Sequence, residues 1–486
     1  MLKTKKIELP KEITEIIDKF KKNNFEAYAV GGCVRDILLS KEPKDWDITT
    51  NAKPEQIQKI FPDNFYKNNF GTVTIKVKNF VSRTTIKEIE ITTFRSEEGY
   101  SDKRHPDKIT FATTLKEDLS RRDFTINAMA INNNCKIIDP FKGQNDLAKK
   151  IIKTAGNPEE RFNEDALRML RAVRFATELN FEIEKNTFKA IQKNSGWLQA
   201  IAKERIRDEF IKIIMADKPD KGIELLKQSN LLKYIVPELE KGIGVGQNKH
   251  HIYTIYEHCV LSLKFAAEKK FNLDVRLSAL LHDIAKPQTK RGKGYDSTFY
   301  NHDIVGAKFA ANILQRLKFP KKTIKRIVLL IRNHMFVYAV EEVSEAGVRR
   351  ILRRVGLENI PDLLNLRVAD RLGSGVPKAV PYKLRHLQYI IEKVSKDPIS
   401  VKMLKINGDN LMKLLKIKPN PKIGLILNSL LAKILENPKL NTKKDLEKLA
   451  KELNKLSEIE LKANLKKVKQ AQEKADMKMK KKYWVQ

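Results

Sequence analysis

The sequence predicts an α+β chain in which an N-terminal α/β head is followed by an elongated all-α body. Three observations point there. Between about positions 27 and 140, short strand-like runs (GTVTIKV, KEIEITTF, KITFA, AMAINNN) alternate with loops. From Pro158 onward the apolar spacing is helical almost to the end. The length, 486 residues, fits roughly three or four domains, and 41% hydrophobic residues suffice for ordinary cores. Glycines interrupt the helical periodicity at KGIGVGQNKHH (241–251) and near RLGSGVP (371–377). The expected segments are a head over 1–150, a helical neck over 151–240, a second helical domain over 241–375, a helical tail over 376–460 and a Lys-rich end over 461–486. No repeat of fixed period is visible.

In the head, AYAVGGCVRD at 27–36 is a short apolar run closed by two glycines, and DWDITT follows at 45–50. Gly31 and Gly32 let backbone N–H groups approach phosphate oxygens. Asp45 and Asp47, two apart on a strand, send both carboxylates to one side. Phosphoryl or nucleotidyl transfer uses two hard cations ~3.5–4 Å apart, and carboxylates are the ligands that hold them. Asp45 and Asp47 are the expected ligands and Mg²⁺ the expected ion. The strand IKEIEITTF at 86–94 offers Glu88 or Glu90 as a third carboxylate, and Glu90 is preferred. Arg35 could take a triphosphate in bidentate fashion; the alternative is an ion pair with Asp36.

GGCVRD, DWD, RRDFTINA at 121–128, IDPFKGQNDL at 138–147 and EDALRMLRAVRFA at 164–176 occur in the order of the successive motifs of the bacterial tRNA nucleotidyltransferase and poly(A) polymerase family, and the chain resembles its class II CCA-adding members. The resemblance implies a polymerase-β-like nucleotidyltransferase head that adds CCA to the 3′ end of tRNA from CTP and ATP without a template, releasing pyrophosphate. It implies that Arg122 and Asp123 grip the ribose and orient the nucleotide, with Asn127 in support; from the residues alone an Arg-Arg-Asp run is a surface ion pair. Asp139, Gly143 and Asp146 match the motif that couples head to neck, and Lys153 stands where the family has an arginine.

Pro158 suits a helix start, and Asp165 and Arg168, three apart, are expected on one face of the following helix. Cytosine and adenine present an amine donor beside a ring-nitrogen acceptor, whereas uracil and guanine present a carbonyl beside an N–H donor. Asp165 only accepts and Arg168 only donates, so the pair suits C and A and repels U and G, with ~1–3 kcal/mol per good bidentate contact. The plain alternative is an i,i+3 ion pair. Arg171 and Arg174 extend the helix toward triphosphate or RNA. The segment TFRSEEGYSDKRHPDKITF (93–111) resembles the intact flexible loop of enzymes that add both bases, with Gly99, Ser101 and Asp102 for flexibility and Arg95, Asp102 and Arg104 as polar groups. It suits an enzyme adding only the terminal A equally well.

The stretch 203–239 resembles the family's RNA-binding neck, whose Arg205, Arg207, Lys212 and Lys218 would contact phosphates. Trp197 and Tyr234 are expected as core aromatics. Within 250–370, His258, His282, Asp283, His302, His334 and Asp370 recur in an order that resembles HD-domain phosphohydrolases. Imidazoles and carboxylates together suit a divalent transition metal, and the resemblance implies hydrolysis of a phosphoester, such as a cyclic or 3′-phosphate end on damaged tRNA. His250 and His251 lie just upstream as weaker candidates. The stretch 406–438 resembles the tail domain of long family members and suits the elbow of tRNA, read by backbone shape.

Composition agrees. Lys+Arg 95 against Asp+Glu 60 gives a net charge of +35, which favours a polyanionic partner, although Lys far in excess of Arg also reflects genome composition. Cys33, Cys135 and Cys259 are scattered, without disulfide or thiolate-metal spacing. No apolar stretch approaches the ~18 residues of a membrane span, and no secretion signal opens the sequence, so the expected location is the cytoplasm. Three readings compete: a CCA-adding enzyme, an A-adding, CC-adding or poly(A)-adding relative, and an HD phosphohydrolase with an RNA-binding head.

Overall fold

The computed structural model describes residues 8–67, 71–77, 88–98, 108–248, 252–336, 340, 344–375, 380–396, 404–436, 440–463, 477 and 480–485. Strands β1 (Ala27–Val30), β2 (Asp47–Thr50), β3 (Asn64–Lys67), β4 (Thr72–Lys76) and β5 (Glu88–Thr93) belong to one sheet, β6 (Arg95–Glu98) and β7 (Lys108–Phe111) pair with each other, and β8 (Ala130–Ile131) and β9 (Ile137–Ile138) return to the main sheet. Its order is β3-β4-β5-β2-β1-β8-β9, with β2 and β5 parallel and the other neighbours antiparallel.

Alternation along the strands separates the two faces. Ile48, Val73, Ile75, Ile89 and Ile91 point to a core shared with helix α1 (Lys11–Lys22), which contributes Ile13, Ile16, Ile17 and Phe20. Helices α2 (Gly32–Leu38) and α3 (Pro54–Ile60) add Val34 and Ile57 to it. On the opposite face α4 (Leu115–Ser120) packs Leu115 and Leu119 on Val30, Phe94 and Ala130. Asp45, Asp47 and Glu90 point away from the isoleucine core, to the side that α4 occupies.

The chain divides into two compact units, residues 1–332 with 365–375, and residues 333–364 with 376–486. In the first, α5 (Gly143–Lys149) lies in the head segment, α6 (Pro158–Glu164), α7 (Leu167–Leu179), α8 (Lys185–Asn194), α9 (Lys203–Met215) and α10 (Pro219–Gln228) lie in the neck segment, and the short α11 (Leu232–Ile235) and α12 (Pro237–Glu240) lead out of it. Helices α13 (Ile255–Glu268), α14 (Leu273–Leu281), α15 (Lys286–Thr289), α16 (His302–Arg316) and α17 (Lys321–Arg332) follow. One hydrophobic core runs through all of them except α15, from Phe124 to Ile331, and Trp197 and Tyr234 pack against it as expected.

The second unit contains α18 (Glu345–Val355), the start of α19 (Ile360–Gly373), α20 (Tyr382–Lys396), α21 (Gly408–Leu415), α22 (Pro421–Glu436) and α23 (Lys443–Asn454). Its tail core gathers Leu411, Ile426, Leu430, Leu446 and Leu453. Asn407 caps α21 by accepting from Asn410 N, and Pro421 opens α22, as Pro does at a first helical position.

Candidate nucleotide and metal sites

Gly31 and Gly32 open α2 directly after β1, and Gly31 has φ +84°, a conformation that L side chains rarely adopt. A Cβ on Gly31 would lie 3.0 Å from Arg122 Nη1 and 3.9 Å from Asp47 Oδ2. The glycine turn therefore runs between an arginine and the start of β2. β2 begins at Asp47, so Asp45 lies in the bend before it rather than on the strand as expected. The alternation still holds across the bend, because Trp46 and Ile48 are buried while Asp45 and Asp47 are exposed.

In the parallel register of β2 and β5, Asp47 stands opposite Glu90, and Glu88 is two residues away. Desolvation pushes the Asp47 carboxyl up from the ordinary range, Arg122 offsets this in part, and Glu90 and Asp45 push it further up. Three carboxylates crowded on one face fit a divalent cation, which removes their mutual repulsion.

Around this face the segment RRDFTINA is held by polar pairs. Asp118 on α4, which the sequence reading passed over, is fully buried and accepts from Arg121 at 2.7 Å, Thr49 Oγ1 at 3.2 Å and Arg122 at 3.4 Å. Burial would push its carboxyl up, but Arg121 and Arg122 hold it below the usual range. Its i,i+3 and i,i+4 spacing to those arginines was a usable signal. Asp123 accepts from Phe124 N and Asn127 Nδ2 through one oxygen, and from Arg171 Nε at 2.9 Å and Nη2 at 2.6 Å through the other. Against its burial, Arg171 and Asn127 bring the Asp123 carboxyl down to about 2.

Arg35 bonds Asp36 through Nε and Nη2 and Asn127 Oδ1 through Nη1. The ion pair with Asp36, the alternative for this residue, is therefore formed, and Arg35 links α2 to Asn127, Asp123 and Arg171. Asp139 caps α5 by accepting from Gly143 N and Gln144 N, and Asp146 accepts from Thr125 Oγ1 at 2.7 Å, so α5 clamps the turn Thr125–Asn127.

The expected continuous helix through EDALRMLR is broken. α6 ends at Glu164, Asp165 is extended (φ −142°, ψ 105°), and its Oδ1 accepts from Leu167 N at 3.0 Å to cap α7. The side chain competes with the backbone helix bond, as Asp does at helix starts. Asp165 and Arg168 consequently do not form the i,i+3 ion pair. Asp165 is held by Arg205, at 2.7 Å to Oδ2 and 3.4 Å to Oδ1. Arg168 bonds Glu164 and the carbonyls of Arg161 and Arg121.

The residues expected on RNA phosphates have partners within the chain. Besides Arg205, Arg207 bonds Asp208 and the Lys318 carbonyl, and Lys212 bonds Glu209 at 3.1 Å. Arg174, expected to reach triphosphate or RNA, is buried: it meets Glu209 at 2.7 Å and lies 3.8 Å above the centre of the Phe175 ring. Gly99, Ser101, Asp102, Arg104, His250 and His251 lie outside the described residues.

The second cluster lies among α13, α14, α16 and the end of α19. His258 Nε2 is 3.0 Å from His282 Nε2, 3.3 Å from Asp283 and 3.3 Å from Asp370; His282 Nε2 is 3.4 Å from Asp283 and 3.6 Å from Asp370. His302 Nε2 lies 3.5 Å from Asp283. The Nδ1 atoms of His282 and His302 sit at 2.9 Å and 2.7 Å from the carbonyls of Ala279 and Phe299, which assigns the proton to Nδ1 and turns the Nε2 lone pair inward. His258, His282 and Asp283 bring their donor atoms within ligating distance of one another, and inward lone pairs beside carboxylates fit a metal ion.

Lys286, missed in the sequence, is buried with its ammonium 2.6 Å from Asp283 and 2.8 Å from Gln247; its i,i+3 spacing to Asp283 was legible. His334 belongs to the second unit and is buried. Among the described residues, no helix is long and apolar enough to cross a membrane.

Three family models match the chain in order: the poly A polymerase head domain over residues 27–153, the probable RNA and SrmB-binding site of polymerase A over 180–243, and the HD domain over 255–374. The CCA-adding enzyme of Ligilactobacillus salivarius is 34% identical over 446 residues, 91% of this chain and 96% of that protein. The Bacillus stearothermophilus CCA-adding enzyme in complex with CTP is similar in structure, with a TM-score of 0.59 and 26% identity over 91% of this chain and 97% of that one. The Thermotoga maritima CCA-adding enzyme complexed with tRNA-CCA shares the fold, with a TM-score of 0.53 and 23% identity over 92% and 97% of the two chains.

Proposed function

The chain belongs to the family of CCA-adding enzymes, and on that premise we propose that it adds CCA to the 3′ end of tRNA from CTP and ATP in the cytoplasm. The RNA 3′-hydroxyl attacks the α-phosphorus, the bond to the bridging oxygen breaks, and pyrophosphate leaves. The observation that carries this reading is the register that sets Asp47 beside Glu90 under the Gly31 turn and Arg122. Asp45, Asp47 and Glu90 would hold the divalent ions, with Mg²⁺ as the ion. Such ions supply the Lewis acidity that acidifies the attacking hydroxyl and offsets charge on the leaving group.

The Gly31 amide is taken by the Met129 carbonyl at 3.2 Å, so the Gly32 amide at the start of α2 would meet the triphosphate, with Arg122 beside the turn. Arg35, Asn127, Asp123 and Arg171 form a connected set that orients the nucleotide, with Arg35 and Arg171 acting through Asn127 and Asp123. Asp165 accepts from the exocyclic amine of C or A, and Arg168 donates to the ring nitrogen. Each is already fixed in direction by another residue, which favours a preformed template over one built when the nucleotide arrives. Lys212 and Lys218, both exposed on the neck, would meet RNA phosphates.

The test uses tRNAs ending one, two and three nucleotides short, with each triphosphate offered singly. CTP should extend the two longest gaps and ATP the last, while UTP and GTP should fail; incorporation of U or G at the rate of C or A contradicts the assignment of Asp165 and Arg168. D45N and D47N should each lose ~10²–10³-fold in kcat, as expected for several kcal/mol of metal assistance.

A phosphohydrolase activity belongs to the second cluster in the same reading. His258, His282, Asp283, His302 and Asp370 would hold a transition metal, which supplies Lewis acidity toward a phosphoester. The Lys286 ammonium beside Asp283 supports it, since it fixes one carboxylate oxygen and leaves a cation near an incoming phosphate. H282A and D283A should abolish metal-dependent hydrolysis and leave CCA addition intact; purified protein that binds no transition metal refutes this part.

A further inference from the structure

Arg205 lies on α9, forty residues from Asp165 in sequence, and presents two parallel N–H groups to the two oxygens of that carboxylate at 2.7 Å and 3.4 Å. The side chain is 30% exposed, so burial does not force the pairing. Asp165 sits in an extended residue between two helices, with one further bond, from Leu167 N to Oδ1. Held by that bond alone, the carboxylate turns freely about its last torsion, because such terminal torsions are broad. A two-point guanidinium contact sets its plane.

We propose that Arg205 is a positioning residue for nucleotide selection, acting on the base through Asp165 rather than on the RNA backbone. The inference rests on the assignment of Asp165 as the acceptor for the exocyclic amine. A carboxylate with a fixed plane aims its remaining lone pairs in one direction, so a base carrying an amine there is matched and a base carrying a carbonyl meets an acceptor it cannot avoid. A carboxylate free to turn can rotate away from that carbonyl, and the penalty for U or G falls. The same distinction separates Arg205 from Arg207, whose partner Asp208 is exposed at the surface.

The experiment measures kcat and KM for each of the four triphosphates on tRNA lacking CCA, in the full chain and in R205M, R205K and D165N, together with the KM for tRNA. In R205M the ratio of kcat/KM for CTP over UTP should fall on the order of tenfold, with the loss mainly in the KM for CTP and the KM for tRNA little changed. R205K, a point charge that meets one oxygen without setting the plane, should restore only part of the ratio. Thermal melting checks that each variant folds, and R205K keeps the test decisive if R205M does not.

A raised KM for tRNA with unchanged discrimination in both Arg205 variants makes Arg205 a phosphate contact and overturns the inference. If D165N loses discrimination and the Arg205 variants keep it, Asp165 selects the base and Arg205 is structural. Discrimination retained in D165N removes the assignment of Asp165 itself, and the inference falls with it.

Discussion

At the scale of single residues the site is a set of carboxylates sorted by their partners. Asp47 has an arginine on one side and two like charges on the other, and its carboxyl lies above the ordinary range. Asp123, with a guanidinium on one oxygen and two N–H donors on the other, lies at about 2. Its folded value is below the unfolded one of 3.8. The pairing therefore stabilises fully above about pH 4 and is lost as the pH falls toward 2. A shift of that size corresponds to about 2–3 kcal/mol. Urea unfolding from pH 5 downward should show the advantage of the parent protein over D123N shrinking along that window, and a constant difference would mean that Arg171 contributes no charge pairing. Alternation in DWDITT was enough to find the acidic face, since a two-residue period needs no tertiary information. The Arg205 partner of Asp165 was not legible, because a contact across forty positions has no local periodicity, and the cation was assigned to the nearest available anion, RNA.

At the scale of elements, the informative departures are two helix ends. EDALRMLR is made of helix formers and reads as one helix, yet Asp165 breaks it by bonding Leu167 N. The break points Asp165 toward α9 and frees Arg168 to bond Glu164 and the carbonyl of Arg121 at the start of the RRD segment. The two residues proposed for base selection are thereby tied to α9 and to the RRD segment. α5 is the second case. Gly143 lies so close to the turn Thr125–Asn127 that a Cβ would fall 2.2 Å from Thr125 O. That separation is impossible without moving the backbone. G143A should destabilise by about 1–3 kcal/mol as overpacking does, and should raise the KM for CTP and ATP because Asn127 moves with the turn. D139A, which removes the cap but adds no atom, should cost about 1 kcal/mol and leave KM nearly unchanged. Equal effects of the two variants on KM would show that the cap, and not the close approach, holds the turn. The resemblance marks IDPFKGQNDL as the element that couples head to neck, whereas the reason for its glycine needed the packed turn.

At the scale of the whole molecule the net charge of +35 is the dominant property. Three of the neck cations expected on RNA phosphates also have partners within the chain: Arg205 with Asp165, Arg207 with Asp208 and the Lys318 carbonyl, and Lys212 with Glu209. Much of the attraction is then expected from the summed field of many exposed lysines such as Lys221, Lys308, Lys321, Lys322 and Lys325, beside the neck cations. A diffuse field has a recognisable signature. Neutralising about six or more phosphates makes tRNA affinity fall ~10³-fold or more between about 50 and 200 mM salt, and removing one lysine should lower the salt slope by no more than about one. Filter binding of tRNA across that range, with K221A and K322A beside the parent chain, measures both numbers. A steep dependence with small single-site effects supports delocalised attraction. A fall of less than tenfold would assign the lysine excess to genome composition, and a single variant that removes most of the slope would point instead to one concentrated phosphate site.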